Sequence, residues 1–169
     1  PTDIRAPSAE FHRDNPLETI SVEELSELYR EGGTISKWSQ LGVTSIPGGQ
    51  SDEVIRVSRQ NSSGTYAYFR EHVLGAKADF RSGTLDMNGS KEVVELIART
   101  PGAIGYSGMG YATAGVKQLK VSKKKGEPGV APSIAATHDR TYPIARALYM
   151  YLPGDPPPHV QPYLDWILS

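Results

Sequence analysis

The stretch Arg59-Gln60-Asn61-Ser62-Ser63-Gly64-Thr65 separates two different kinds of hydrophobic patterning, and that change constrains the fold more than any other feature of the chain. Upstream, Val54, Ile55 and Val57 read as a short buried strand. Downstream, Tyr66, Phe69, Val73 and Leu74 recur at helical spacing as far as Gly75, a natural stop. A strand, a polar loop and a helix start in this order predict alternating strands and helices, an α/β architecture. The loop also carries chemistry. A helix start offers backbone N–H groups without intrahelical partners at the positive end of the macrodipole. Ser63 and Thr65 add hydroxyls, Gly64 lets a ligand approach the backbone, and Arg59 supplies a planar fork of donors. Together they describe an oxyanion site, with phosphate the first ligand to consider. The plainer reading is a helix capped by Ser63 with Arg59 on the surface, and local chemistry leaves both readings open.

The rest of the chain continues the alternation. Residues 1–8 are polar, carry two prolines and read as an extended lead-in, with Phe11 and His12 in a short strand ending at Asn15-Pro16. Ser21 and Glu24 form a capping box, with Ile20 and Leu25 as its hydrophobic staple. Leu25, Leu28 and Tyr29 give that helix a buried face, Gly32-Gly33 end it, and Trp38 is placed to pack on it. Pro47-Gly48-Gly49 marks a turn. Asn88-Gly89-Ser90 precedes a second helix carrying Val93, Val94, Leu96 and Ile97, stopped by Pro101-Gly102. Short buried strands are predicted over 103–106 and 116–121, a solvated charged turn over 123–129, and a long strand from Tyr142 to Leu152 with Ile144, Leu148 and Met150 on one side. After the stiff connector Asp155-Pro156-Pro157-Pro158, residues Val160, Tyr163, Leu164, Trp166 and Ile167 form a final amphipathic helix.

Composition excludes several functions. The 169 residues, 38% hydrophobic and 22% charged, suit one domain with its own core. A formal net charge of -1 gives no general attraction to nucleic acid or anionic membrane, so an anion site must arise from local geometry. The absence of cysteine removes disulfides, thiolate chemistry and thiolate metal sites. His12, His72, His138 and His159 are scattered without ligand spacing, so neither metal nor cofactor is expected. The glycines of Gly105, Gly108, Gly110 and Gly115 do not have dinucleotide-binding spacing and fit a turn after a buried strand. Ser63 lacks the setting of an esterase nucleophile, and no phosphate-loop motif of the nucleotide hydrolases occurs. Asn61-Ser62-Ser63 and Asn88-Gly89-Ser90 both match the glycosylation sequon, and a glycan on Asn61 would cover the anion site. No apolar run reaches the length of a membrane span, and no hydrophobic stretch of a signal peptide follows Pro1 to Arg5.

Several segments taken together resemble the substrate-binding protein of the bacterial ABC phosphate transporter. These are a strand ending in Arg59, then Ser63-Gly64-Thr65 opening a helix; Pro101-Gly102-Ala103-Ile104-Gly105-Tyr106 followed by Tyr111-Ala112; the return strand Tyr142-Pro143-Ile144-Ala145-Arg146-Ala147-Leu148-Tyr149; and, earlier, Asn15-Pro16 with Ile35-Ser36-Lys37-Trp38. The resemblance runs from about residue 10 to the C-terminus. It implies one lobe of a type II periplasmic-binding-protein fold, a mixed sheet flanked by helices. Residues 1–14 would be lead-in and crossover strand, 15–141 the phosphate-binding lobe, and 142–169 a return strand and helix that pack on the other lobe. It implies that Arg59, Ser63, Gly64 and Thr65 bind inorganic phosphate without catalysis, in a periplasmic or extracytoplasmic protein that delivers it to an ABC permease. No nucleic-acid partner is implied. The family's first lobe has no counterpart before Asn15, so the resemblance implies half a clamp and weak binding. Apolar surface at Leu148, Leu164, Trp166 and Ile167 could then drive dimerisation. Sulfate binding, a secreted phosphate-handling enzyme and a sensor module reusing the lobe are the competing expectations.

Overall fold

The computed structural model describes residues 3–5, 7–148 and 151–168. Its centre is a five-stranded mixed sheet in the order β5-β4-β6-β2-β7. The strands are β2 (Pro7–His12), β4 (Ile55–Arg59), β5 (Leu85–Met87), β6 (Ala103–Gly108) and β7 (Val116–Gln118). β4 runs parallel to β5 and β6, whereas β2 runs antiparallel to β6 and β7. One face carries Ala9, Phe11, Ile104 and Tyr106 and packs under α1 (Val22–Tyr29) and α2 (Gly64–Phe69). The other carries Val57, Ala103 and Val116 and packs under α3 (Ser90–Ala98) through Val93, Val94 and Ile97. Gly105 is the point of closest approach: an added Cβ would lie 2.7 Å from Ile97 Cδ1 and 3.0 Å from Val93 Cγ1. The mixed sheet flanked by helices is the predicted fold class.

Local signals hold where they are strongest. Ser21 caps α1, its hydroxyl accepting from Glu24 N while the Glu24 carboxylate accepts from Ser21 N, a complete capping box. The turn at Pro47 closes with Gly49 N–H on Ile46 O, and Gly48 has the positive φ that favours glycine. The lysine-rich turn docks on the start of α1. Lys125 N–H donates to Glu23, and Lys125 Nζ lies 3.2 Å from Glu24. Trp38 begins a 3-10 turn (Trp38–Leu41), meets Phe11 edge-on and donates from Nε1 to Gly102 O.

Four expectations are corrected. The lead-in over 1–8 contains β1 (Asp3–Arg5) and the start of β2, a central strand. Pro7 is tolerated at the first strand position, where it need not donate. The polar Ser8 and Glu10 are buried there because they satisfy each other and Ser107. The strand over 116–121 is two strands, β7 and β8 (Lys120–Ser122). Leu119 sinks into the core between them with its N–H on Ala9 O, and β8 leaves to pair in parallel with β3 (Thr19–Ser21). The long strand from Tyr142 is reduced to β9 (Arg146–Leu148), because Tyr142 to Ala145 close a turn at Pro143 and β9 then pairs antiparallel with β1. Met150 and the side chain of Leu148 lie outside the described residues.

The fourth correction concerns the C-terminus. Helix α5 (Gln161–Leu168) forms as predicted, but Leu164 is buried, leaving Tyr163, Trp166 and Ile167 exposed. Two features were not anticipated: a π-helical turn (Arg70–Leu74) continuing α2 to Gly75, and α4 (Ile134–His138), capped by Ser133. Among the described residues no helix is long and apolar enough to cross a membrane.

Candidate oxyanion site

The parallel strands β4, β5 and β6 place their C-terminal ends on one edge of the sheet, where loops of α/β proteins usually collect ligands. Arg59 ends β4, Asn88 follows β5, and Gly108 ends β6. Ser90, the first residue of α3, joins them: its Oγ accepts from Arg59 Nη1 at 2.8 Å and from Gly108 N–H at 3.4 Å. Arg59 Nη2 donates to Asn88 O at 3.1 Å. The Arg59 Nε is buried and has no hydrogen-bond partner. Arg59 is thus fixed at two nitrogens at the C-terminal end of β4, a charged group held in a defined place.

The loop after Arg59 folds back on itself. Gln60 N–H donates to Met87 O, its side-chain amide meets Asn88 Oδ1, and Ser63 N–H donates to Gln60 O. This turn delivers Ser63 as the N-cap of α2, and Ser63 Oγ accepts from Thr65 N–H at 3.2 Å. The plainer sequence reading of Ser63, a helix cap, is the one seen.

The helix is anchored from below. Phe69 stacks flat on Tyr106, ring centroids 3.8 Å apart, and meets Tyr29 edge-on. The Tyr106 hydroxyl is 2.6 Å from Ser58 Oγ, one residue before Arg59. Burial raises the Tyr106 hydroxyl far above its usual range, so it stays neutral. Tyr29 Oη donates to the carbonyls of Ile104 and Val57 and closes the same layer.

Ser63, Gly64 and Thr65 open α2, whereas the Arg59 guanidinium is turned to Ser90 and Asn88 at the start of α3. Residues missed by sequence reasoning are Ser90 and Asn88, which hold Arg59, and Arg146, which reaches Gly64 from β9. The available signal for Ser90 was its place at the first helical position after the neighbouring parallel strand. Arg146 had none. Among the described residues no group of three or more His, Asp or Glu is placed to hold a metal ion.

The mixed sheet flanked by helices, with three parallel strands ending on one edge, has the architecture of one lobe of a periplasmic-binding-protein fold. The PBP superfamily domain matches residues 11–169, and the chain belongs to that family. Among its relatives, the phosphate-binding protein PstS of Pseudomonas aeruginosa is 32% identical over 180 residues, covering 100% of this chain and 54% of that protein. PstS of Bacillus subtilis is 30% identical over 163 residues, covering 96% and 49%. The fold is shared with an ABC-type phosphate transport receptor from Vibrio cholerae (TM-score 0.74, 20% identity, 99% of this chain and 65% of that one). It is also shared with a Clostridium perfringens protein solved with bound phosphate (TM-score 0.78, 24% identity, 99% and 64%). The chain spans about half the length of the curated relatives it matches.

Proposed function

We propose that this chain is the part of a phosphate-binding protein that contributes Arg59, Ser63, Gly64 and Thr65 to the ligand. The observation that carries the reading is Arg59 at the end of β4, held by Ser90 and Asn88, in the loop that leads to the helix start capped by Ser63. Arg59 supplies charge-assisted bonds, the hydroxyls of Ser63 and Thr65 turn toward the anion, and the first N–H groups of α2 complete the cradle. The relatives named phosphate-binding protein PstS support phosphate as the ligand. In a protein of their length the lobe would serve an extracytoplasmic ABC import system and hand the solute to a membrane permease, with no chemical step.

With one side of the ligand held, the chain alone is expected to bind inorganic phosphate with a Kd of about 1 mM. Arg59→Ala should lose about 2 kcal/mol or more of that binding. Titration followed by amide NMR reads both, with sulfate run beside phosphate. Unchanged affinity in Arg59→Ala would remove the site assignment, and equal response to sulfate would widen the ligand to tetrahedral oxyanions. The exposed Tyr163, Trp166 and Ile167 of α5 offer a surface for a second lobe or a second copy. Self-association should appear as a sedimentation mass that rises with concentration; a fixed monomer mass would exclude the second copy.

A further inference from the structure

Arg146 lies 82 positions beyond Gly64, yet its Nη1 donates to the Gly64 carbonyl at 3.2 Å. The guanidinium lies against the helix start at ordinary contact distance: a Cβ at position 64 would stand 3.5 Å from Nη1 and 3.6 Å from Nη2. Its central carbon sits 5.6 Å from the Tyr68 ring centroid, a cation–π distance, and the Tyr68 hydroxyl donates at 2.8 Å to Ala145 O, the residue before Arg146. The first turns of α2 are thus fastened to the head of β9 by two reciprocal hydrogen bonds and one ring contact.

The chemistry follows from the covalent structure. The Gly64 carbonyl and the Thr65 N–H belong to one planar peptide unit. A charged donor on the oxygen fixes that plane and draws electron density away from the nitrogen, which makes Thr65 N–H a stronger donor. Thr65 N–H is the group that Ser63 Oγ caps and that a ligand at the helix start would meet.

We propose that Arg146 is a positioning residue of the oxyanion site, acting on the ligand through the Gly64–Thr65 peptide. It differs from Arg59 in that it does not need to touch the anion. Because it opens the strand that pairs with β1, it also ties the cradle to the β1–β9 ladder. The inference rests on the phosphate reading of the same site.

The test compares the 169-residue chain with Arg146→Ala and Arg146→Lys by amide NMR, first without ligand and then with inorganic phosphate. Without ligand, Arg146→Ala should move the Thr65 amide proton upfield while the α1 and α3 amides stay in place. With phosphate, Arg146→Ala should weaken binding about tenfold, and Arg146→Lys should recover part of both effects by restoring a cation without the planar fork. An unmoved Thr65 amide together with unchanged affinity would overturn the inference while leaving the phosphate reading intact. Absence of any phosphate response in the unaltered chain would instead overturn the phosphate reading, and the ligand-free Thr65 shift would still decide whether Arg146 positions that peptide. Should Arg146→Ala fail to fold, Arg146→Lys carries the comparison: a Thr65 shift in that variant supports the inference, and none overturns it.

Discussion

Replacing Phe69 by alanine is expected to lower the unfolding free energy by about 3–5 kcal/mol, the usual cost of removing a fully buried aromatic ring. Phe69 is completely buried, stacked on Tyr106 and edge-on to Tyr29, so three elements lose contact at once: α2, α1 and β6. The hole would open under the end of α2, and Tyr106 could relax into it only by leaving Ser58. Urea unfolding of the variant measures the loss. Phe69→Leu, which restores most of the volume, should lose much less. A loss below about 1 kcal/mol in Phe69→Ala would mean that the ring stack is not what holds α2 to the sheet. Because Tyr106 and Ser58 adjoin Arg59, the same variant should also weaken anion binding if it remains folded.

The second large effect is electrostatic. Glu10 lies in the middle of a central strand, fully buried. Burial drives its carboxyl from 4.5 up to about 7, against the opposing pull of the Ser8 and Ser107 hydroxyls. Ser8 Oγ donates to it at 2.7 Å while itself accepting from Gln118 Nε2, and Ser107 Oγ lies 3.0 Å from both carboxylate oxygens. The protonated form fits equally well. It can donate to Ser107 Oγ, which then turns its own hydrogen to Gly108 O at 3.3 Å.

The folded state therefore holds the proton more tightly than the unfolded chain does. This stability is present in full below about pH 4.5 and is lost as the pH rises through about 7, a change of about 3 kcal/mol. Glu10→Gln removes the ionisation. The difference between variant and parent should grow over that interval in favour of the variant, then level off above it. Denaturation midpoints taken from pH 4 to 8 would show this; parallel curves would mean that folding leaves the Glu10 carboxyl unshifted.

The parts of the molecule legible in its sequence are those fixed by near neighbours. The capping box at Ser21 and Glu24, the turn at Pro47 to Gly49 and the helix start at Ser63 each close within a few residues, so residue type and spacing determine them. The central strand over Pro7 to His12 was hidden for the opposite reason. Ser8 and Glu10 look like solvent-facing residues until Ser107 and Gln118, about a hundred positions away, supply their hydrogen bonds. The π-helical turn after α2 has no local signature either, since Arg70 at its start is held by Ala78 O and Asp79 across the following loop. At the site the same division holds. Arg59, Ser63, Gly64 and Thr65 share one loop and could be read together, while Asn88, Ser90 and Arg146 arrive from other strands.

The bond between Ser63 Oγ and Thr65 N–H bears on how quickly the site can fill and empty. At Thr65 the helix head is not bare: a hydroxyl two residues away already occupies that donor. On the phosphate reading, an arriving anion would displace a tethered tenant instead of stripping an unpaired group of solvent, and the displaced hydroxyl could turn its own hydrogen toward the newcomer. On departure the tenant returns without travelling. At Thr65 neither state leaves an orphaned donor, so on that reading exchange at this group asks no movement of the helix itself.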